Sequence, residues 1–192
     1  MTGRRAAATA LAACSALALA GCSPLDGEPV PAEQTAGPWM CDGVSRVSVE
    51  RIVGNPSVPM QSGDWRTLKD TGFECRVDSP HGAVDIIVTP FSEEEAGAAS
   101  AEAVAQWQAA DGEPIVDESG SPGQGYLTGE PGQVVTAGWV CTTRKLEVVL
   151  SDVWLDDRRD QRADARNLLV SVLPFACAMR QVPDVDYTDV PG

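Results

Sequence analysis

The sequence predicts an α+β fold: an antiparallel sheet of hairpins, three helices packed mainly on one face, and two disulfides. Three observations predict it. Apolar residues alternate with polar ones through Phe73, Cys75 and Val77, then again across a turn through Val84, Ile86 and Val88, and a second pair of such runs passes through Val148 and Leu150. Three further segments carry helix start signals or helical apolar spacing. Four cysteines, Cys41, Cys75, Cys141 and Cys177, are spread through the same region.

The folded part is expected to begin near Trp39. Asp42 is placed to cap a helix over about residues 43–53, with Val44, Val47 and Ile52 turned inward, and Gly54-Asn55-Pro56 stops it. Residues 65–68 read as a short strand. Residues 72–77 and 83–89 make a hairpin across the turn Asp78-Ser79-Pro80-His81-Gly82. Ser92-Glu93-Glu94-Glu95 has the spacing of a capping box and opens an Ala-rich helix to about Ala110, anchored by Val104 and Trp107. Its three glutamates suit the positive end of a helix, which accounts for them without a metal.

Residues 111–133 hold six Gly and three Pro and read mainly as loop, with Ile115-Val116 and Tyr126-Leu127 as short edge strands. Residues 134–142 and 145–154 form the second hairpin. Asp156 or Asp157 starts the last helix. On it Arg158, Arg162 and Arg166 share one side, and Asp157, Asp160 and Asp164 share another. Residues 168–173 are apolar all round and should be buried, and Pro174 should bend or end the helix before Cys177. The two hairpin–helix units echo each other with an offset of 66 residues at the cysteines (141 − 75).

The chain opens with a short basic segment ending in Arg4-Arg5. Residues 6–20 then carry no charge, too few for a membrane span of about 20 apolar residues but in proportion for an export signal. The run ends in Leu19-Ala20-Gly21-Cys22, which resembles a bacterial lipobox. That resemblance implies lipid on the Cys22 thiol and cleavage just before it. Leu11-Ala12-Ala13-Cys14 has the same spelling but leaves only residues 6–13 as the apolar segment, so Cys22 is the expected site. Arg4-Arg5 also has the look of a twin-arginine signal, but the residues after it lack the bulky side chain such a signal carries.

The expected organisation is a signal at 1–21, a lipidated Cys22 with a flexible tether to residue 38, one domain over 39–183 and an acidic tail at 184–192. The tether is rich in Pro, Gly, Glu and Ala, and a coil of its length spans roughly 20–25 Å. Of the six cysteines, Cys14 leaves with the signal and Cys22 takes lipid. The even remainder reads as two disulfides in an oxidising compartment. Four cysteines allow three pairings; the expected one joins Cys41 to Cys75 and Cys141 to Cys177, since each closes a local loop around one helix.

The formal net charge is −14. Between Arg76 and Arg144 there is no Lys or Arg, while eleven Asp or Glu stand from Asp78 to Glu130. Such a surface repels phosphate backbones, so nucleic acid is not an expected partner. Its ordinary use is solubility, and its sharper use is attraction of a cationic partner or divalent ions.

The lipobox, the Cys41-plus-helix opening, Gly72-x-x-Cys75 in a strand and the late Cys177 together resemble small secreted lipoproteins of actinobacteria, specifically those built on an uncharacterised lipoprotein domain. The resemblance covers most of residues 19–180. It implies a cell-envelope location and a binding or assembly role, and it brings no catalytic residues.

Chemical motifs are sparse. His81 is the only histidine and sits in a turn, and no Gly-x-Ser-x-Gly elbow accompanies it. The disulfides leave no activated thiol. There is no Cys-x-x-Cys, phosphate loop, dinucleotide fingerprint or EF-hand loop, and Asp117-Glu118 lacks calcium-ligand spacing. Carboxylates abound, but Trp65, Trp107, Trp139 and Trp154 are patterned for the core rather than for stacking sugars. No catalytic residue, cofactor or metal is therefore expected. The expected function is a membrane-anchored, extracytoplasmic, non-catalytic binding or envelope-assembly module. Its partners are the membrane through the lipid, and an envelope protein or small ligand at a sheet face or at the loop 120–132. A lipid or small-ligand carrier and a cell-wall hydrolase are the rival readings.

Overall fold

A computed structural model of the chain describes residues 27–33, 37–41, 43–63, 71–118, 120–153 and 159–177. Leu19, Ala20, Gly21 and Cys22, the strand expected at 65–68, the Asp42 cap, the Asp156 or Asp157 start, Trp154, Arg158 and the 184–192 tail all lie outside the described residues.

The fold is α+β, with three helices, a two-stranded sheet, a seven-stranded antiparallel sheet and two disulfides. β1 (Trp39–Met40) pairs with β2 (Val44–Ser45) and leads into α1 (Arg46–Val53). The Ser45 hydroxyl caps α1 by accepting the Ser48 N–H at 3.2 Å. Gly54, at φ +78°, ends it and donates to the Glu50 carbonyl, as a helix stop should. Because α1 starts at Arg46, its buried stripe is Ser48, Val49, Ile52 and Val53. Val47, expected inside, is 42% exposed.

The large sheet runs in the order β3 (Met60–Ser62), β4 (Phe73–Ser79), β5 (Gly82–Pro90), β9 (Arg144–Ser151), β8 (Val135–Cys141), β7 (Gln124–Thr128), β6 (Glu113–Ile115). Both hairpins form as the alternation predicts, and they meet at the centre, where Ile86 pairs with Val148. Their echo has a different offset from the one read at the cysteines. Phe73 corresponds to Val135 and Gly82 to Arg144, 62 residues apart (135 − 73, 144 − 82). The turns match, Ser79 pairing with Gly82 as Cys141 pairs with Arg144, but Cys75 sits in mid-strand while Cys141 sits at its turn.

One face of this sheet carries the main core. Phe73, Ile86, Leu146 and Leu150 meet Val49 and Ile52 of α1 and Leu168, Leu169 and Leu173 of α3 (Gln161–Ala176), all essentially unexposed. Each such side chain contributes roughly 1.5–3 kcal/mol by leaving water. Cys41–Cys75 and Cys141–Cys177, with Cα atoms 5.9 and 5.7 Å apart, border that core. α3 begins one residue after Asp160, whose carboxylate accepts the Ala163 N–H at 3.0 Å. It runs through Pro174 to Ala176, so the proline does not end it.

α2 (Ala96–Ala109) lies on the other face. The Ser92 hydroxyl accepts the Glu95 N–H at 3.2 Å and donates to the Glu95 carboxylate at 2.6 Å, but α2 starts only at Ala96, with Glu95 in the cap position and no acid in its first turn, so the expected box closes a turn ahead of the helix instead of capping it. Trp107 packs on Val140 and beside Tyr126, above Gly138, where a Cβ would stand 2.2 Å from the indole. On the core face Trp139 lies over Gly125 in the same manner, and its Nε1–H donates to the Pro122 carbonyl at 3.0 Å. The Gly-rich stretch after α2 is mainly loop, with two short strands in it, β6 at the sheet edge and β7 between β6 and β8.

The tether expected over 22–38 is held at Val30, and at its end the Pro38 carbonyl accepts the Arg46 N–H at 3.1 Å. Val30 is fully buried against α3, its N–H donating to Asp164 Oδ1 at 2.9 Å and its carbonyl accepting from Asn167 Nδ2 at 2.8 Å. Asp164, expected on one side of the helix with Asp157 and Asp160, is 1% exposed and bidentately paired with Arg159, whose side chain is 5% exposed.

Candidate functional site

The second face of the sheet is divided. α2 covers it over β7, β8 and β9, while toward β3 and β4 its side chains stay accessible. Strand register places one row across the open part: Met60, Arg76, Asp85 and Val149. A second row holds Ser62, Glu74, Ile87 and Glu147. Met60 is 59% exposed at the edge, and Val58 just before β3 is 86% exposed.

Arg76 is the centre of this face. Its Nη1 donates to both Asp85 carboxylate oxygens, at 2.9 and 2.8 Å. Its Nε and Nη2 donate to the two oxygens of Asp78, at 3.2 and 2.8 Å. The planar guanidinium fork is thus gripped by a carboxylate on each side, a geometry lysine cannot supply. The hydrogen bonds that Arg76 donates to Asp78 and the charge of Asp85 raise the Arg76 pKa. Burial pushes the Asp85 carboxyl above its usual range; Arg76 opposes this, and Asp78 and Glu74 add to it.

Beside the cluster a cleft of about 280 Å³ opens between the first hairpin turn and the end of β9. Arg76, Asp78, Ser79, Gly82, Ser151 and Asp152 line it. Gly82 abuts the Ser151 and Asp152 carbonyls so closely that a Cβ there would lie 2.7 Å from each. The turn is tied down from below. The Ser79 hydroxyl donates to the Val53 carbonyl at 2.7 Å and accepts the His81 N–H at 2.9 Å.

The cleft is polar and acidic. Of its lining residues Asp78 and Asp152 outnumber Arg76, so its formal charge favours a cationic group. Neither Asp78 nor Asp85 stands apart from Arg76, which is a poor arrangement for an independent acid–base pair.

The residues singled out by sequence are placed as follows. Cys41, Cys75, Cys141 and Cys177 form the two expected disulfides, away from the cleft. His81 is exposed in its turn. Trp107 and Trp139 are buried as expected, and Trp65 and Trp154 lie outside the described residues. Asp117 accepts the Ser121 N–H at 2.9 Å, closing its own loop. The loop 120–132 is held to α3 by Gln161, which accepts the Gly132 N–H at 2.8 Å, and by Arg162, which donates to the Gly129 carbonyl.

The Arg76 cluster was missing from the sequence reading, although its signal was there. A two-residue turn at Pro80-His81 forces Arg76 opposite Asp85, and Arg76 and Asp78 stand two apart on one strand face. Among the described residues no group of three or more His, Cys, Asp or Glu is arranged to hold a metal ion. Comparison with protein-family models, with curated proteins and with solved structures finds no match to the chain.

Proposed function

We infer that this chain is an exported lipoprotein, held by lipid on Cys22 at the outer face of a cell membrane. It works as a non-catalytic binding or envelope-assembly module, and the open sheet face around Arg76 docks a cationic partner. The observation that carries this reading is the acidic cleft at Asp78 and Asp152, left beside the α2-covered half of the face. Two disulfides suit an oxidising compartment. A carrier asks for an apolar cavity between sheet and helices, where this chain packs Phe73, Ile52, Leu168 and Leu169 at under 2% exposure. A hydrolase asks for carboxylates free to exchange protons, and Arg76 engages both candidates.

The test uses the full chain purified from bacterial membranes. Its intact mass should show acyl chains on Cys22, and a bare thiol there would remove the anchor from the reading. Titration with an oligo-lysine peptide should show binding that Asp78→Asn with Asp152→Asn weakens about tenfold, equivalent to about 1.4 kcal/mol. An uncharged peptide should not bind. Equal binding by wild type and variant would attribute the attraction to net charge alone and overturn the assigned face.

A further inference from the structure

We propose that residues 27–33 form a strap that seats the anchored end of the chain on α3, so that the domain stands on a short leash with its α1–α3 face toward the membrane. The strap has one plug. Val30 is fully buried while Glu28, Pro29, Pro31 and Glu33 around it are exposed. Both of its backbone polar groups are taken, by Asp164 on one side and Asn167 on the other. Those two side chains are three residues apart on α3 and so share a helix face, which makes them a clamp for one extended residue.

The surroundings fit that task. Pro29 and Pro31 flank Val30; they carry no N–H and hold the chain extended, which lowers the entropy of docking it. The Val30 N–H is therefore the only backbone donor of the run 29–31, and it is used. Asp164 is buried at a desolvation cost that Arg159 offsets with bonds of 3.0 and 2.7 Å. The Oδ1 that receives Val30 also receives Arg159 Nη2. An unattached tether would require none of this.

The consequence rests on lipidation at Cys22, while the strap itself does not. Only residues 23–29 stand between Cys22 and the Val30 plug, a leash with a reach of at most about 25 Å even fully extended. It leaves from the face that carries α1 and α3. The Arg76 cleft lies on the opposite face and is turned toward the envelope, where a partner reaches it.

The experiment takes the full lipidated chain in supported bilayers and reads two quantities: amide exchange at Val30, and the domain–bilayer gap by neutron reflectometry. In the wild type the Val30 amide should exchange at least a hundredfold more slowly than an unstructured one. In Val30→Asp, and in the milder Asn167→Ala, protection should fall and the gap should widen up to about 1.5-fold as the leash lengthens toward sixteen residues. A Val30 amide exchanging at the unstructured rate in the wild type overturns the strap. A protected amide with a gap unchanged in both variants overturns the orienting role. A chain without acyl chains removes the anchor, yet leaves the Val30 result to be read in solution.

Discussion

The carboxyl of Asp85 is the residue on which the open face turns. It is 12% exposed, and its only neutralising partner among the described residues is Arg76. Burial raises its pKa more than Arg76 lowers it. A folded-state pKa above the unfolded value means that the folded chain holds that proton more tightly. The stabilisation from this group is then fully present below the unfolded pKa and is lost as pH rises through the folded one. Two outcomes follow for a carboxyl-carbon NMR titration. The Asp85 midpoint should lie above the ordinary value of about 3.9, and in Arg76→Ala it should move higher still. A midpoint that falls in the variant would mean that removing Arg76 opens the site to water, and that relief of burial outweighs the loss of its charge.

At the scale of elements, the hairpins were legible because period-two alternation and a two-residue turn leave a single register. The pairing of Phe73 through Ser79 with Gly82 through Val88 follows from them. Helix starts were less legible. Asp156, Asp157 and Asp160 are chemically equivalent as caps, and only the hydroxyl or carboxylate that meets an N–H decides, Asp160 in α3 and Ser45 in α1. A shifted start rotates the whole stripe, which is why Val47 is exposed. The placement of α2 had a signal that periodicity in α2 itself did not give. Ala137-Gly138-Trp139-Val140-Cys141 is apolar on both strand faces and is buried throughout, so β8 needs cover on both sides. The Arg159–Asp164 pair and the Val30 plug were illegible, because an acid on a helix and an isolated valine in a Pro-rich run ordinarily meet water. Trp107 tests the account of α2. Gly138→Ala places a methyl within the indole's present volume and should destabilise the domain by about 1–3 kcal/mol through overpacking. Urea unfolding should show the lower midpoint, with Trp emission shifted toward that of an exposed indole. An unchanged midpoint would mean that α2 adjusts freely and is loosely docked.

For the whole molecule, the two disulfides join parts that the sheet alone leaves separate. Cys41–Cys75 fastens the β1–β2–α1 segment to mid-strand β4, across 34 residues. Cys141–Cys177 fastens the end of α3 to the turn end of β8, across 36. Arg144 reinforces the second link by donating to the Ala176 carbonyl at 2.6 Å. The pseudo-symmetric hairpins meet at Ile86–Val148, but the helices that follow them go to opposite faces, so α1 and the strap complete the core on the α3 side. Because the loops are nearly equal, restriction of the unfolded chain assigns each bridge a similar stabilisation, roughly 3–4 kcal/mol. That is a large share of the about 5–15 kcal/mol typical of a domain. Each double Cys→Ser variant should therefore remain folded with a lowered unfolding free energy, and the fourfold variant should be unfolded or close to it at 37 °C. Denaturant titration followed by circular dichroism measures all three. If one bridge proves worth more than the other by over about 1.5 kcal/mol, loop entropy is not the main term, and native packing around that bridge carries the difference. The expected direction in that case is toward Cys141–Cys177, since its loop encloses α3, the helix on which Val30, Gly129 and Gly132 all depend.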